Sequence, residues 1–336
     1  AYGLAQFPSG VLADRYGEKP IILLAVGGTT VLSLLLALSP LYSVFILGAI
    51  ALGCAAGLHY TVATTLLSRT FDDIGTALGT HSIGGPLAGL IAPVMAAGVG
   101  FRYGWRPAIA LTAVVGVPIF VLFAWRIRPT EPRRPSKPLS ERFELRPLVE
   151  LVSRPTVTFP LSIAIAGTYV TQALLSFFPA FLIAFHGYTP TAAGIAFSVF
   201  FVCRAISQIV LGRASDTYSR DAAIAVSMSA GVIGIPLVIV DSGSVTMAAG
   251  IVLVGVCSSF FAAIDPRFID ALSADERGIG FGLVRTVYAV VGASGSVGVG
   301  LTADLFGWGV AFGTLALLLF GCVLALAGNY ITGHRY

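Results

Sequence analysis

Long apolar stretches separated by short polar turns run through almost the whole chain. Ten of them are long enough to cross the roughly 30 Å hydrocarbon core of a bilayer, which takes about 20 helical residues each. They lie near residues 21–39, 41–67, 74–100, 107–125, 156–185, 190–211, 222–240, 245–264, 278–303 and 309–332. Residues 1–13 form a shorter apolar stretch that is typical of the end of one more helix. The pattern predicts an all-α polytopic membrane protein with ten complete spans and one partial span.

Composition supports a membrane protein rather than a soluble one. Of 336 residues, 56% are hydrophobic and 11% are charged, against roughly 25% charged in soluble domains. A soluble fold cannot bury that much apolar surface, so much of it must face lipid. The four cysteines lie inside apolar stretches without metal-ligand or disulfide spacing. We therefore expect a monomer in a lipid bilayer, with no metal and no cofactor.

The basic residues are distributed in a way that predicts the orientation of the chain. The formal net charge is +4, but no polar domain gathers this charge, so we expect no nucleic-acid partner. Segment 126–155 holds eight Lys or Arg, four Glu and, between Pro129 and Pro147, five Pro and is typical of a linker. If it is cytoplasmic, 16 of the 20 basic residues lie on the cytoplasmic side. We expect a multi-pass plasma-membrane protein with a cytoplasmic linker and C-terminus.

Three matches at an offset of 202 to 203 residues indicate an internal repeat. They align Gly10, Asp14 and Tyr16 with Gly212, Asp216 and Tyr218, Asp72, Gly75 and Gly79 with Asp275, Gly278 and Gly282, and Gly104-Trp105 with Gly307-Trp308. In the second half a complete span, 156–185, precedes the helix that ends at Gly212, and no such span precedes Gly10. The repeat therefore predicts an N-terminally truncated chain that lacks its first transmembrane helix.

The stretch from Gly10 to Lys19, with Asp14, Arg15 and Gly17, resembles the signature between the second and third helices of the major facilitator superfamily. A degenerate second copy of this motif retains Gly212, Asp216 and Arg220. The resemblance implies that both copies gate a secondary transporter that moves a small solute by alternating access. A simpler interpretation is a turn glycine in a hairpin with cytoplasmic basic residues.

The resemblance also implies the fold, two pseudo-symmetric six-helix bundles of which eleven helices are present. Residues 1–125 would form the N-terminal bundle with the second to sixth helices, 126–155 the linker, and 156–336 the C-terminal bundle. Gly75, Gly84, Gly85-Pro86 and Gly89 partly resemble the antiporter motif of the same superfamily, which the chain departs from at His81 and Leu90. A drug or metabolite efflux antiporter is therefore an open alternative.

Three charged residues lie inside predicted spans, where each costs at least about 2.5 kcal/mol on insertion scales. They are Arg204, Asp265 and Arg285. In proteins that this chain resembles, the corresponding helices line a central cavity. The two arginines, at matched depth, predict a site for an organic anion, with Asp265 as their partner or as a proton carrier. Alternatively, the arginines extend to the headgroups, or an Asp-Arg pair only holds two helices together.

Other polar residues in the spans are candidates to complete this site. Gln208 shares a helix face with Arg204, and Tyr288 with Arg285; the remaining candidates are Tyr169, Gln172, His59, Tyr60 and His81. Such residues are also typical of interhelical hydrogen bonds.

The sequence also bears on two other classes of protein, an intramembrane protease and a sensor. The run Gly292-Ala293-Ser294-Gly295 matches the short nucleophile motif of rhomboid-type proteases. The only later histidine, His334, lies beyond the last span, so no base accompanies Ser294 and we expect no enzyme. A transporter-like sensor that binds a solute without moving it stays open.

Overall fold

The computed structural model describes residues 1–132, 145–240 and 243–333. Within these ranges the chain forms helices and no strand. The helices are α1 (Tyr2–Tyr16), α2 (Glu18–Ala37), α3 (Tyr42–Thr70), α4 (Ile74–Ser82), α5 (Gly84–Tyr103), α6 (Trp105–Arg126), α7 (Leu145–Ser153), α8 (Pro155–His186), α9 (Pro190–Thr217), α10 (Arg220–Val240), α11 (Ser244–Cys257), α12 (Phe261–Ala271), α13 (Arg277–Gly292), α14 (Ser294–Phe306) and α15 (Trp308–Thr332).

The predicted spans are confirmed. Over the described residues, ten helices or consecutive helix pairs are long and apolar enough to cross a membrane, and α1 is the shorter helix expected from residues 1–13. Many of their large apolar side chains are exposed, among them Leu35, Val94 and Leu317. Such exposure is expected of helices that face lipid.

Three spans are interrupted, which hydropathy did not predict. The pairs are α4 and α5, α11 and α12, and α13 and α14, which break at Ile83, at residues 258–260 and at Ala293. Pro86 explains the first break, since it has no N–H for the carbonyl of Ser82. At the second, Ser227 Oγ donates to the carbonyls of Val256 (2.9 Å) and Cys257 (3.0 Å). Carbonyls released by a broken span thus find a donor inside the protein.

The predicted linker contains a helix, α7, which was not predicted because the segment is rich in charge and proline. Its buried side carries Leu148, Leu151 and Val152, and this i, i+3, i+4 spacing is the signal of an amphipathic helix. Leu151 is buried and lies against Gly280. The linker residues 133–144 and the C-terminal residues 334–336, with Arg335, lie outside the described residues.

The chain divides into two compact units. Unit 1 comprises Ala1–Thr70, Ile91–Ser153 and Leu272–Val287. A core of Ala13, Ile21, Ile22, Val62 and Ala63 joins α1, α2 and α3, and Phe123 of α6 packs against it.

Unit 2 comprises Phe71–Leu90, Arg154–Ala271 and Tyr288–Tyr336. Phe181 of α8 stacks on Phe312 of α15 with ring centroids 4.0 Å apart, and α10 packs against both α11 and α15. Each unit takes residues from both sides of the linker, so the bundle boundaries 1–125, 126–155 and 156–336 stay a prediction.

Candidate functional site

The turn between α1 and α2 is built from the residues of the first motif. Gly17 has φ 86°, a conformation that favours glycine, and its N–H donates to the carbonyl of Ala13 (2.8 Å). Glu18 N–H donates to Thr130 Oγ1 (2.9 Å), and Lys19 Nζ to the carbonyl of Ala124 at the end of α6 (2.7 Å). The turn is therefore fixed by the segment that leaves α6.

Two charged side chains of this turn, Arg15 and Glu18, contact other side chains. The Arg15 guanidinium lies 5.5 Å from the ring centroid of its neighbour Tyr16. Arg69 of α3 donates to both carboxylate oxygens of the buried Glu18, at 2.9 and 3.1 Å. Sequence analysis missed this Glu18–Arg69 pair, because its members lie 51 residues apart and nothing in the local pattern joins them.

Within unit 1, α1 and α13 meet along two stripes of small residues. We call this contact the α1–α13 seam; it comprises Gly3, Phe7, Gly10 and Asp14 of α1 with Gly278, Gly282 and Thr286 of α13. A Cβ on Gly10 would overlap the carbonyl oxygen of Gly278, and a Cβ on Gly278 would overlap the Asp14 carboxylate. Asp14 is 2% exposed and lies at the first turn of α13, where N–H groups and the helix dipole favour an anion.

Unit 2 contains the repeat of this contact. The α4–α9 seam comprises Gly75, Thr76 and Gly79 with Gln208, Gly212 and Asp216. The Asp216 carboxylate accepts from the N–H groups of Gly75 (2.8 Å) and Thr76 (2.6 Å) and from the Thr76 hydroxyl (2.8 Å). A Cβ on Gly212 would overlap the carbonyl oxygen of Gly75. Asp216 therefore caps α4 from another helix, in the way expected for an acidic group at a helix N-terminus.

Arg220 ties the second seam to a neighbouring helix. Its guanidinium pairs with Asp216, donates to Asp270 at the end of α12 (2.9 Å), and donates to Ser215 Oγ (3.0 Å). Nearby, Arg267 pairs with Asp221 (2.9 Å). The structure thus brings Gly212, Asp216 and Arg220 together in one polar cluster.

Arg285 stands out among the candidate solute-binding residues of unit 1. Its guanidinium carbon lies 3.8 Å from the ring centroid of Tyr60, and the residue is 9% exposed. A cation over an aromatic face is stabilised most when water is excluded. The prediction placed Arg285 and Tyr60 in one site without pairing them; the structure puts them in direct contact.

A second buried pair lies in unit 2. The Tyr288 hydroxyl donates to Asp265 Oδ1 at 2.6 Å, and the two residues are 1% and 0% exposed. Helix spacing predicted that Tyr288 shares a face with Arg285, and the structure adds the contact of its hydroxyl with Asp265. The hydrogen bond joins α12 to α13. One simpler interpretation of the sequence was that an Asp-Arg pair holds these two helices together.

The other candidates of unit 2 lie at helix contacts. Tyr169 packs against α14, where a Cβ on Gly295 would overlap its carbonyl and a Cβ on Gly298 its hydroxyl. The carbonyl of Gln172 accepts from Ser296 Oγ (3.4 Å), and that of Arg204 from Ser259 Oγ (3.0 Å). Gln208 is 2% exposed, and a Cβ on Gly79 would overlap its carbonyl. His81 of α4 is half-buried, as is His59 of α3, which belongs to unit 1.

A polar pair that sequence analysis did not single out lies beside the α1–α13 seam. Thr61 donates to Gln6 Oε1 at 2.6 Å, and both residues are fully buried. A glutamine in an apolar helix is the signal that could have found it, because a buried amide in a span needs a partner. Among the described residues no group of three or more His, Cys, Asp or Glu is arranged to hold a metal ion.

Comparison with known proteins gives curated relatives that match part of the chain. Multidrug resistance protein MdtL of Escherichia coli O157:H7 is 25% identical over 169 residues, which cover 49% of this chain and 43% of that protein. The protein of the same name from Klebsiella pneumoniae is 30% identical over 129 residues, covering 38% and 33%. The chain thus spans less than half of the length of these relatives.

Two solved structures share the fold. The human organic anion transporter MFSD10 superposes with a TM-score of 0.83 at 15% identity, over 97% of this chain and 82% of that one. The Escherichia coli fucose:proton symporter FucP superposes with a TM-score of 0.76 at 14% identity, over 97% and 88%. At these identities the likeness concerns the fold alone.

The family model of the Major Facilitator Superfamily matches residues 1–189 and, a second time, residues 161–332. The two matches cover both halves of the repeat and nearly the whole chain. The chain is a multi-pass membrane protein that belongs to the Major Facilitator Superfamily, a family of transporters and not of enzymes.

Proposed function

We propose that the protein is a secondary transporter of the plasma membrane that moves a small organic anion by alternating access, coupled to protons. The observation that carries the proposal is Arg285, a nearly buried cation in a membrane-spanning helix that lies on the face of Tyr60. A cation in a membrane-spanning segment is expensive in lipid and supports the hypothesis of a functional site. A carboxylate is the natural ligand of its guanidinium fork.

The two seams are the proposed gate. Each combines glycines, which let two helices approach closely, with one aspartate at the N-terminus of the opposing helix. The interactions are short-range contacts between helices, so each seam can open and close again without unfolding a helix. The basic residues around the α1–α2 turn support a cytoplasmic position for this gate, for the linker and for the C-terminus.

Asp265 is the proposed proton carrier. It is fully buried and bonded to the Tyr288 hydroxyl, and a carboxyl group in a span that gains and loses a proton is a common element of proton-coupled carriers. We propose that Arg204, Gln208, Tyr169, Gln172, His59 and His81 contribute to the solute site. The fucose:proton symporter FucP, which has a similar fold, supports the proposed proton coupling only as an analogy.

A ligand-stabilisation screen on the purified protein tests the anion site. Small organic anions such as benzoate should raise the melting temperature, since ligands that bind the folded state stabilise it, and matched organic cations should not. Arg285→Gln should abolish the anion effect, and Arg285→Lys should retain part of it. Arg102→Gln, at an exposed arginine of α5, is the control and should leave it unchanged. Equal anion stabilisation in Arg285→Gln would refute the site.

Efflux of drugs or metabolites by antiport is the second candidate. It is supported by the likeness to MdtL, a multidrug resistance protein, and by the interrupted span at Ile83, next to the partial antiporter motif. In that span Gly89 lies against the ring of Phe201, where a Cβ would be 2.6 Å from the nearest ring atom. Stabilisation by lipophilic cations such as tetraphenylphosphonium, and not by anions, would favour this candidate.

A further inference from the structure

The hydroxyl of Thr286 binds to the backbone of another helix. It accepts from the N–H of Phe7 (2.9 Å) and donates to the carbonyl of Gly3 (3.0 Å). Phe7 and Gly3 are four residues apart in α1, so the hydroxyl bridges the donor and acceptor that an α-helix itself joins. A side chain inserted at this point is a recognised cause of helix distortion.

The position of Thr286 follows from the spacing of the seam. Gly278, Gly282 and Thr286 are four residues apart and share the face of α13 that meets α1. A Cβ on Gly282 would come within 2.7 Å of the carbonyl oxygen of Gln6. The two glycines therefore bring the helices close enough for a hydroxyl one turn further on to reach the α1 backbone.

A proline lies beside the bridged turn of α1. Pro8 lies inside α1 and supplies no N–H to the carbonyl of Leu4, which removes one helical hydrogen bond beside the turn from Gly3 to Phe7. This turn can therefore shift between a hydrogen bond to Thr286 and the internal helical one. When Thr286 withdraws, Phe7 N–H and Gly3 carbonyl are already in register to bind each other.

Arg285 and Thr286 are consecutive residues that face two different helices. Arg285 lies on Tyr60 of α3, and Thr286 is bonded to α1. Because neighbouring residues on a rigid helix turn together, a rotation of α13 that draws Arg285 away from Tyr60 also displaces Thr286 from α1.

The second seam lacks this device at the matching position. The offset of 203 residues that aligns Gly75 with Gly278 and Gly79 with Gly282 aligns Ile83 with Thr286. Isoleucine has no hydroxyl, and Ile83 is the C-cap residue that follows α4. The repeat thus provides a natural control for the role of the Thr286 hydroxyl.

We propose that Thr286 is a positioning residue that couples the solute site at Arg285 to the opening of the α1–α13 seam. This inference rests on the proposed function. An anion that engages Arg285 draws it from Tyr60, Thr286 leaves α1, and the turn from Gly3 to Phe7 closes on itself. No backbone group is left unpaired by that step, so the seam opens without a large energetic penalty.

In a background with the exposed Cys54 replaced by serine, spin labels on Tyr16→Cys at the end of α1 and Ala274→Cys before α13 measure the distance across the seam by double electron–electron resonance, without ligand. Thr286→Val should lower the ratio of closed to open populations about three- to tenfold, as expected for one or two interhelical hydrogen bonds. Thr286→Ser should stay within about twofold of the parent, and so should the matched control Ile83→Val. An unchanged ratio in Thr286→Val, or the same loss in Thr286→Ser, would refute the role of the hydroxyl.

A double-mutant cycle tests the coupling itself. Arg285→Gln should shift the ratio of closed to open populations of the seam in the parent. In the Thr286→Val background this shift should be at least about threefold smaller, because the effects of substitutions at coupled residues are non-additive. Additive shifts would overturn the coupling. The cycle needs no ligand, so a protein that shows the coupling and is not stabilised by benzoate refutes the proposed anion site alone. Every variant must elute as a single species and melt within a few degrees of the parent.

Discussion

Single atoms decide whether the two seams can form. Six seam glycines have no space for a methyl group, because an oxygen atom of the opposing helix occupies it; they are Gly10, Gly75, Gly79, Gly212, Gly278 and Gly282. Gly321 of α15 is also helical, yet no atom of the described residues lies within 4 Å of the position of its Cβ. The same substitution at these two kinds of glycine is therefore expected to act in opposite directions.

Gly10→Ala should destabilise the folded protein by about 1–3 kcal/mol through overpacking against Gly278. Gly321→Ala should be neutral or stabilise it by up to about 1 kcal/mol, because alanine favours a helix over glycine. Melting temperatures in one detergent compare the two. A Gly10→Ala protein as stable as Gly321→Ala would contradict the close approach in the α1–α13 seam.

Tyr288→Phe removes the hydroxyl that donates to Asp265. Taking one donor from a buried carboxylate should lower stability by about 1–3 kcal/mol. The loss should be much smaller in an Asp265→Asn background, because the two residues interact directly. Tyr330→Phe, at a residue 89% exposed, should change nothing. Equal effects in both backgrounds would show that this hydrogen bond does not matter.

Sequence reasoning found single residues better than their partners. Asp14 and Asp216 could be identified because the repeat aligns them. Spacing along one helix predicts that Tyr288 shares a face with Arg285, but it does not predict the bond of its hydroxyl to Asp265 on another helix. Thr286 was missed for the same reason: nothing in its local sequence shows that it meets the backbone of α1.

At the scale of elements, one helix contact occurs twice. In each unit a helix with an aspartate in its last turn meets the first turn of another helix through glycines, as seen for α1 with α13 and for α9 with α4. The spans could be predicted because their length and apolarity are local properties. Their interruptions could not, since the break before Phe261 is stabilised by Ser227 of α10, a distant residue.

Asp14→Asn tests the seam as an element of the gate. The substitution keeps the shape of the side chain but removes the negative charge from the α13 N-terminus, which weakens a contact of about 0.3–2 kcal/mol. The protein should remain folded in the membrane and transport more slowly. Asp304→Asn, at an exposed residue of α14, should transport normally. Normal transport by both variants would exclude a gating role for Asp14.

At the scale of the whole molecule, orientation is the most accessible property. The basic residues predict that the loop between α3 and α4 is cytoplasmic and that the loop between α5 and α6 lies outside. The residues Asp72 and Tyr103, both exposed, mark these two loops.

Single cysteines report the side of each loop. In a background with the exposed Cys54 replaced by serine, Tyr103→Cys should react with an impermeant maleimide in intact cells. Asp72→Cys should react only after permeabilisation. The reverse pattern would invert the topology and place both seams on the outer face.

The central claim is that the chain carries a solute rather than only binding it. Counterflow in proteoliposomes tests this directly: vesicles loaded with an unlabelled anion that stabilises the protein are diluted into labelled anion at trace concentration. A carrier accumulates label transiently above equilibrium, and Arg285→Gln should abolish the overshoot. Binding without any overshoot in the parent protein would contradict the account and indicate a sensor.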